Sequence, residues 1–176
     1  MKTSIQTPDY FQNAVTHLFG VEGGYVNDPV DRGGETKYGI TKRTYPYLDI
    51  ASLTLEKATE IYHQDYWLKY HCHELPPALG VFLFDSLVNH RPKTAVRLLQ
   101  MTLRVTTDGY IGPKTIAAAS VVAGYSTYPE IIALALARRA DLYHDIITGD
   151  SSQARFALGW FKRLFLLQQF IDGMAT

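Results

Sequence analysis

Apolar positions recur at helical spacing through most of the chain, and one stretch near the start breaks that rhythm. From Asp9 to Val21 the apolar residues Phe11, Val15, Leu18 and Phe19 share one helical face. Asp9 can cap the start just after Pro8, and glycines at 20, 23 and 24 end the run. Residues 25 to 48 carry Gly-Gly, Asn-Asp-Pro and Tyr-Gly turn signals between short Val/Ile/Thr/Tyr pieces, which predicts an irregular hairpin or small sheet. A second helix is expected from Leu55 to Tyr70, with Thr54 as its cap. The apolar run after Pro76 and Pro77 predicts a buried helix from about Ala78 to Asn89, broken by Pro92. Amphipathic helices follow in "TAVRLLQMTL", in Lys114 to Val122 behind Pro113, from Tyr128 or Pro129 to about Ile147, and from Ser152 to about Asp172. The pattern contains no internal repeat. It predicts a mainly α (α+β) protein of seven or so helices with one minor β-hairpin.

Composition narrows the class. A chain of 176 residues fits one domain or two small lobes, and 47% hydrophobic residues suffice for a packed core. The 17 basic and 17 acidic residues cancel, so nothing favours a phosphate-tracking, nucleic-acid-binding surface. The single Cys72 excludes an intramolecular disulfide framework. "MKTSIQTPDYFQ" shows no apolar segment of signal-peptide type, and the longest apolar runs fall short of a membrane span. Synthesis in the cytoplasm without a signal peptide is the resulting expectation.

Candidate chemistry concentrates in "EGGYVNDPVDRGGETKYGIT", residues 22 to 41, with five glycines and four carboxylates. Its glycines do not lead into Gly-Lys-Ser/Thr, so it is no phosphate loop, and its oxygen donors lack the EF-hand spacing. His63, His71, Cys72 and His73 come near one another but form no recognisable zinc ligand set. In an extended segment the histidines flanking Cys72 would point away from it, which weakens a nucleophile reading. An acid/base site fits more of the loop. Glu22 stands where a helix meets a glycine-rich turn, beside Phe19, Val21 and Tyr25, and partial desolvation there would raise its pKa. Asp31, nine residues on, can return to face it if the chain folds back, with Thr36 and Thr41 as hydroxyls to place a water. The residues alone leave a second reading open: a structural turn in which Asp28 and Asp31 cap local amides.

The same stretch closely resembles the motif of glycoside hydrolase family 108, the lysozyme-like N-acetylmuramidases: Glu-Gly-Gly-Tyr, Asn-Asp-Pro, Asp, Gly-Gly, Thr and Gly-Ile-Thr, spaced without gaps. "YHQDYW" (62–67), "FDSLVNH" (84–90), "TDGYIGPKT" (107–115) and "FALGWFKR" (156–163) extend the resemblance over nearly the whole chain. The third is like an element of the peptidoglycan-binding region that follows catalysis in this family. Two departures are visible. Thr36 lies one residue closer to the aspartate than the threonine of phage-type lysozymes, and Arg91 stands where relatives have glycine.

The resemblance implies a lysozyme-like fold, a small β-hairpin lobe plus a helical bundle, with a muramidase region over 1–91 and a helical peptidoglycan-binding region over 92–176. It implies cleavage of the β-1,4 bond between N-acetylmuramic acid and N-acetylglucosamine, with Glu22 as the acid and Asp31 and Thr36 assisting. Tyr25, Tyr38, Thr41 and Asn89 are implied on the substrate side, and Tyr45 is a further nearby aromatic. No cofactor and no metal are implied. The expected partner is bacterial peptidoglycan, met in the periplasm by a monomer that depends on a holin, as in phage endolysins and the muramidases of typhoid toxin secretion. A non-catalytic peptidoglycan-binding protein that kept the fold is the alternative.

Overall fold

The computed structural model describes residues 10–21 and 35–174. Asp9, Glu22, Tyr25, Asp28 and Asp31 lie outside the described residues. The described residues form seven α-helices and one two-stranded antiparallel hairpin, the mainly α, lysozyme-like architecture expected. None of the described helices is long and apolar enough to cross a membrane. The backbone divides into two compact units, Met1–Asp65 and Tyr66–Thr176.

In the first unit, α1 (Tyr10–Val21) buries Phe11, Val15 and Leu18 of the expected face together with Ala14, an i, i+3, i+4, i+7 stripe, while Phe19 is half-buried. Phe19 meets the edges of Tyr38 and Tyr62 at ring separations of 5.7 and 5.9 Å. The hairpin pairs β1 (Thr36–Lys37) with β2 (Ile40–Thr41), Thr36 opposite Thr41 and Lys37 opposite Ile40. Its two-residue turn has φ of 53° at Tyr38 and 77° at Gly39. Positive φ at both positions is what a type I′ turn needs to match the twist of the strands. A hydrogen bond from the Tyr62 hydroxyl to the Tyr38 carbonyl (2.9 Å) holds the turn in place. Helix α2 (Leu55–Tyr62) starts at Thr54, whose side chain accepts from the Lys57 amide at 3.2 Å, as the sequence suggests.

The expected helix to Tyr70 instead widens into a π-helical turn over His63–Leu68. Its buried positions step from Tyr62 to Trp67, five residues apart, so the wide turn carries the indole inward where 3.6-residue spacing would have carried Tyr66.

The second unit is built around α3 (Pro77–Asn89), buried at every residue from Leu79 to Leu87. A helix that is apolar all round needs neighbours all round. Within the unit it packs on a short 3-10 turn (Cys72–Glu74), on α4 (Pro92–Thr102), on α6 (Tyr128–Gly149) and on α7 (Ala157–Gly173). Gly80 makes the closest approach possible, because a Cβ there would lie 2.6 Å from the Cys72 carbonyl oxygen. Pro92 and Pro113 each open the helix they precede in the pattern, α4 and α5 (Pro113–Ala123), at a position whose N–H has no helical partner. The last predicted helix begins as a 3-10 turn (Ser151–Phe156), its first amides capped by Asp150, before becoming α7.

Candidate functional site

Helix α1 closes at Val21, so the last described residue of the first helix immediately precedes Glu22 in the chain. Of the residues expected in catalysis or substrate contact, the described ones of the first unit are Thr36, Tyr38 and Thr41. All three sit on the hairpin, and cross-strand pairing brings Thr36 and Thr41 side by side. The hairpin is a return of the chain over residues 36–41, while the expected fold-back of Asp31 towards Glu22 lies outside the described residues. A backbone bond from the Lys42 amide to the Glu35 carbonyl (2.9 Å) continues the pairing beyond the strands.

The Thr41 hydroxyl lies 2.9 Å from that of Thr44 and accepts from the Thr44 amide at 3.1 Å, so it closes the turn after β2. Tyr38 is half-buried with its ring against Phe19, and Lys37 Nζ lies 5.7 Å from its centroid. Tyr45 donates to the Asp65 carboxylate at 2.8 Å. Lys37 and Lys42 reach the carbonyls of Ala51 (2.9 Å) and Leu48 (2.7 Å), which fixes the hairpin to the loop below it.

Asn89 belongs to the second unit, at the exposed end of α3, with its amide donating to the Asp85 carbonyl at 2.9 Å. It lines a hollow of about 180 Å³ with His90, Tyr143, Gln153 and Trp160. Beside it lies a charged cluster. Asp85 is buried and accepts from Arg139 Nη1 at 2.5 Å and from Arg163 Nη2 at 2.9 Å. Burial alone would raise the Asp85 carboxyl, but the two guanidinium groups outweigh it and hold the pKa at about 2. An acid in so apolar a run must be either paired or solvent-facing; here it is paired, and its partners, 54 and 78 residues away, carry no local signal. Arg163 closes the "FALGWFKR" motif, and Trp160 of the same motif stacks on Tyr143 at 5.2 Å.

The histidines around Cys72 are accounted for otherwise. His71 Nδ1 lies 2.6 Å from Glu74 and its ring stacks on His73, while Cys72 is buried with its thiol pKa pushed far up by that burial. A thiol so desolvated is a poor nucleophile. No group of three metal-ligating side chains occurs among the described residues.

A hairpin lobe following a first helix, and a helical unit carrying a cell-wall motif, define a lysozyme-like glycoside hydrolase with an appended binding module. Comparison with known proteins bears on that class directly. Residues 15–90 match the model described as glycosyl hydrolase 108, and residues 94–165 match one described as a predicted peptidoglycan domain. The structure of SagA from Brucella abortus is similar, with 32% sequence identity and a TM-score of 0.77 over 93% of this chain and 94% of that one. No curated protein matches. The chain belongs to the glycosyl hydrolase 108 family: it is a muramidase-type glycoside hydrolase that acts on peptidoglycan.

Proposed function

We propose that the protein hydrolyses the β-1,4 bond from N-acetylmuramic acid to N-acetylglucosamine. The observation that carries this reading is the ungapped run of residues 22 to 41, all of it inside the matched hydrolase region, which supplies two carboxylates and a hydroxyl at the spacing of an acid/base site. Glu22 donates its proton to the leaving oxygen. Asp31 steadies the positive charge that develops on the sugar or orients the attacking water, and Thr36 assists it. Tyr25, Tyr38, Thr41 and Asn89 contact the glycan. Inversion is the stereochemical course we favour, in which the two carboxyl groups stand about 6.5–9.5 Å apart to admit a water.

In this reading residues 1–91 carry catalysis and residues 92–176 bind the wall. The monomer reaches the periplasm through a holin-type pore, in phage lysis or in protein release. The test is release of new muramic-acid reducing ends from purified peptidoglycan by the wild type and by Glu22→Gln. Wild-type activity lost in the variant supports the assignment, and activity that survives in Glu22→Gln removes it. A protein that binds every peptidoglycan tried and cleaves none is a binding protein that kept the fold.

A further inference from the structure

The "TDGYIGPKT" turn is held with far more structure than a connection needs. Gln100, buried on α4, donates through Nε2 to Asp108 Oδ1 at 2.8 Å and to the Tyr110 carbonyl at 2.9 Å, and its Oε1 accepts from the Gly109 amide at 2.9 Å. Asp108 in turn accepts from the Tyr110 amide at 2.9 Å. The Gln100 amide first, then the Tyr110 N–H, hold the Asp108 carboxyl below its ordinary range, so that acid is committed to the loop. Gly109, at φ +84°, lies against the stem of Lys93, 3.3 Å from where its Cβ would be.

All this rigid scaffolding presents a tyrosine that the core does not use. Tyr110 is 65% exposed, with Lys93 Nζ 5.3 Å from its ring centroid. A hollow of about 730 Å³ on one side of it is lined also by Arg104 and Lys114, and one of about 320 Å³ is lined also by Lys69, Lys93 and His71. Arg104 and His71 both hold φ of 56°, a conformation disfavoured for side chains with a Cβ and seen at only one other described non-glycine residue. Such strain gathers where the fold must aim a side chain. The linings thus carry four exposed positive charges against one carboxylate that the loop already occupies.

We infer that the Tyr110 turn and its two flanking hollows form a preorganised subsite for the carboxylates of the peptidoglycan stem peptide. Lys93, Lys114, Lys69 and Arg104 pair with those carboxylates, and the fixed turn lowers the ordering cost of the pairing. The inference rests on the proposed action on peptidoglycan and adds which part of that polymer the second unit holds. A glycan freed of its stem offers these cations only the lactyl carboxylate of each muramic acid, whereas an intact stem supplies several carboxylates held farther from the sugar, so recognition follows the stem.

Calorimetry on full-length Glu22→Gln tests this with two probes: a disaccharide–tetrapeptide and the same disaccharide freed of its stem, with its lactyl carboxyl capped as the methylamide so that no carboxylate remains. The expected result is selective binding of the stem-bearing probe, weakened about fivefold to tenfold by the charge-removing pair Lys93→Gln and Lys114→Gln, and weakened by added salt. Equal affinity for the two probes, or an unchanged constant in the pair, overturns the subsite. So does equal displacement by polyphosphate, which reduces it to a non-specific cationic face. Should the pair fail to fold, the amide resonances of Gly109 and Tyr110 in the Glu22→Gln protein must shift with the stem-bearing probe, and their silence overturns it as well. Reducing-end release by the wild type is scored separately. Selective binding without cleavage removes the muramidase reading and leaves the subsite, and cleavage without selective binding does the reverse.

Discussion

Arg163 grips Asp85 from 78 residues away, with Nε at 3.2 Å and Nη2 at 2.9 Å from one carboxylate oxygen, while Arg139 takes the other. The arrangement ties α7 and α6 to the central helix of the second unit by charge inside an apolar shell. A buried pair adds little net stability over a well-packed apolar substitute, yet removing one member strands the others without water. Asp85→Ala leaves Arg139, wholly buried, and Arg163 facing an uncompensated hole. The expected loss is about 3–5 kcal/mol in urea denaturation, against less than about 1 kcal/mol for an exposed pair such as Lys57–Glu60.

Gly80 sets how closely α3 meets the Cys72–Glu74 turn. A methyl group at that position would overlap the Cys72 carbonyl at 2.6 Å, and backbone cannot swing aside as a side chain does. Gly80→Ala therefore costs about 1–3 kcal/mol despite the better helix propensity of alanine. Gly20→Ala, where no atom of the described residues lies within 4 Å of the added Cβ, moves in the opposite direction. Thermal melting of the two variants side by side separates packing from propensity.

Helix starts at Pro92 and Pro113, the Thr54 cap and the Tyr38-Gly39 hairpin turn depend on neighbours within a few positions, so local chemistry declares them. The π-turn at His63–Leu68 is invisible to a search for 3.6-residue spacing, because its five-residue step is dictated by where Trp67 is buried. That Asp85 is either paired or solvent-facing is legible from its apolar neighbours, whereas the choice between the two, and Arg139 and Arg163 among many cations, is settled only when the helices are assembled. Gln100 is hidden for the same reason: only its place on the buried face of α4 turns an ordinary amide into the hub of the 108–115 turn. At the candidate site the hairpin that pairs Thr36 with Thr41 is legible, while Glu22, Tyr25 and Asp31 lie outside the described residues.

His90 makes the second unit sensitive to mild acid. Burial first, and then the nearby positive charge of Arg139 and Arg163, lower its pKa to about 4, with Asp85 opposing them, and its ring lies 5.6 Å from Tyr143. Unfolded, the imidazole titrates near its ordinary value of about 6.5. Between these values the unfolded chain holds a proton that the folded chain refuses, so stability is full above pH 6.5 and falls as pH drops towards 4. The expected loss is on the order of 1–2 kcal/mol, and His90→Gln flattens this part of the profile. Asp85 acts lower still: its depressed pKa keeps its contribution until pH falls below about 4, with loss continuing towards about 2. Denaturation midpoints measured from pH 8 to pH 3.5 for wild type and His90→Gln check the sign, and parallel profiles would refute it.

Gln100 supports the 108–115 turn by three short hydrogen bonds, and no apolar residue of its size can replace them. In Gln100→Leu the Gly109 amide and the Tyr110 carbonyl lose their partner, and a stranded buried group costs about 1–3 kcal/mol. Amide exchange at Gly109 and Tyr110 should accelerate more than exchange in α7. A uniform acceleration would mean that the amide supports the whole unit and not the turn.

The hairpin offers a way to separate the chemistry of two neighbouring hydroxyls. Thr36 and Thr41 face each other across the pair, but Thr41 closes the next turn through Thr44, while Thr36 carries the proposed role beside Asp31. Valine keeps the shape of threonine and removes only the hydroxyl. Thr36→Val is then expected to lower kcat on peptidoglycan by about tenfold or more with little change in KM, the mark of a contact made in the transition state. Thr41→Val is expected to cost about 1 kcal/mol of stability through its lost turn bonds, with a smaller effect on kcat. Reducing-end kinetics and melting on both variants supply the comparison. If Thr41→Val shows the larger loss of kcat, the two assignments exchange places, and the one-residue offset of Thr36 becomes the reason.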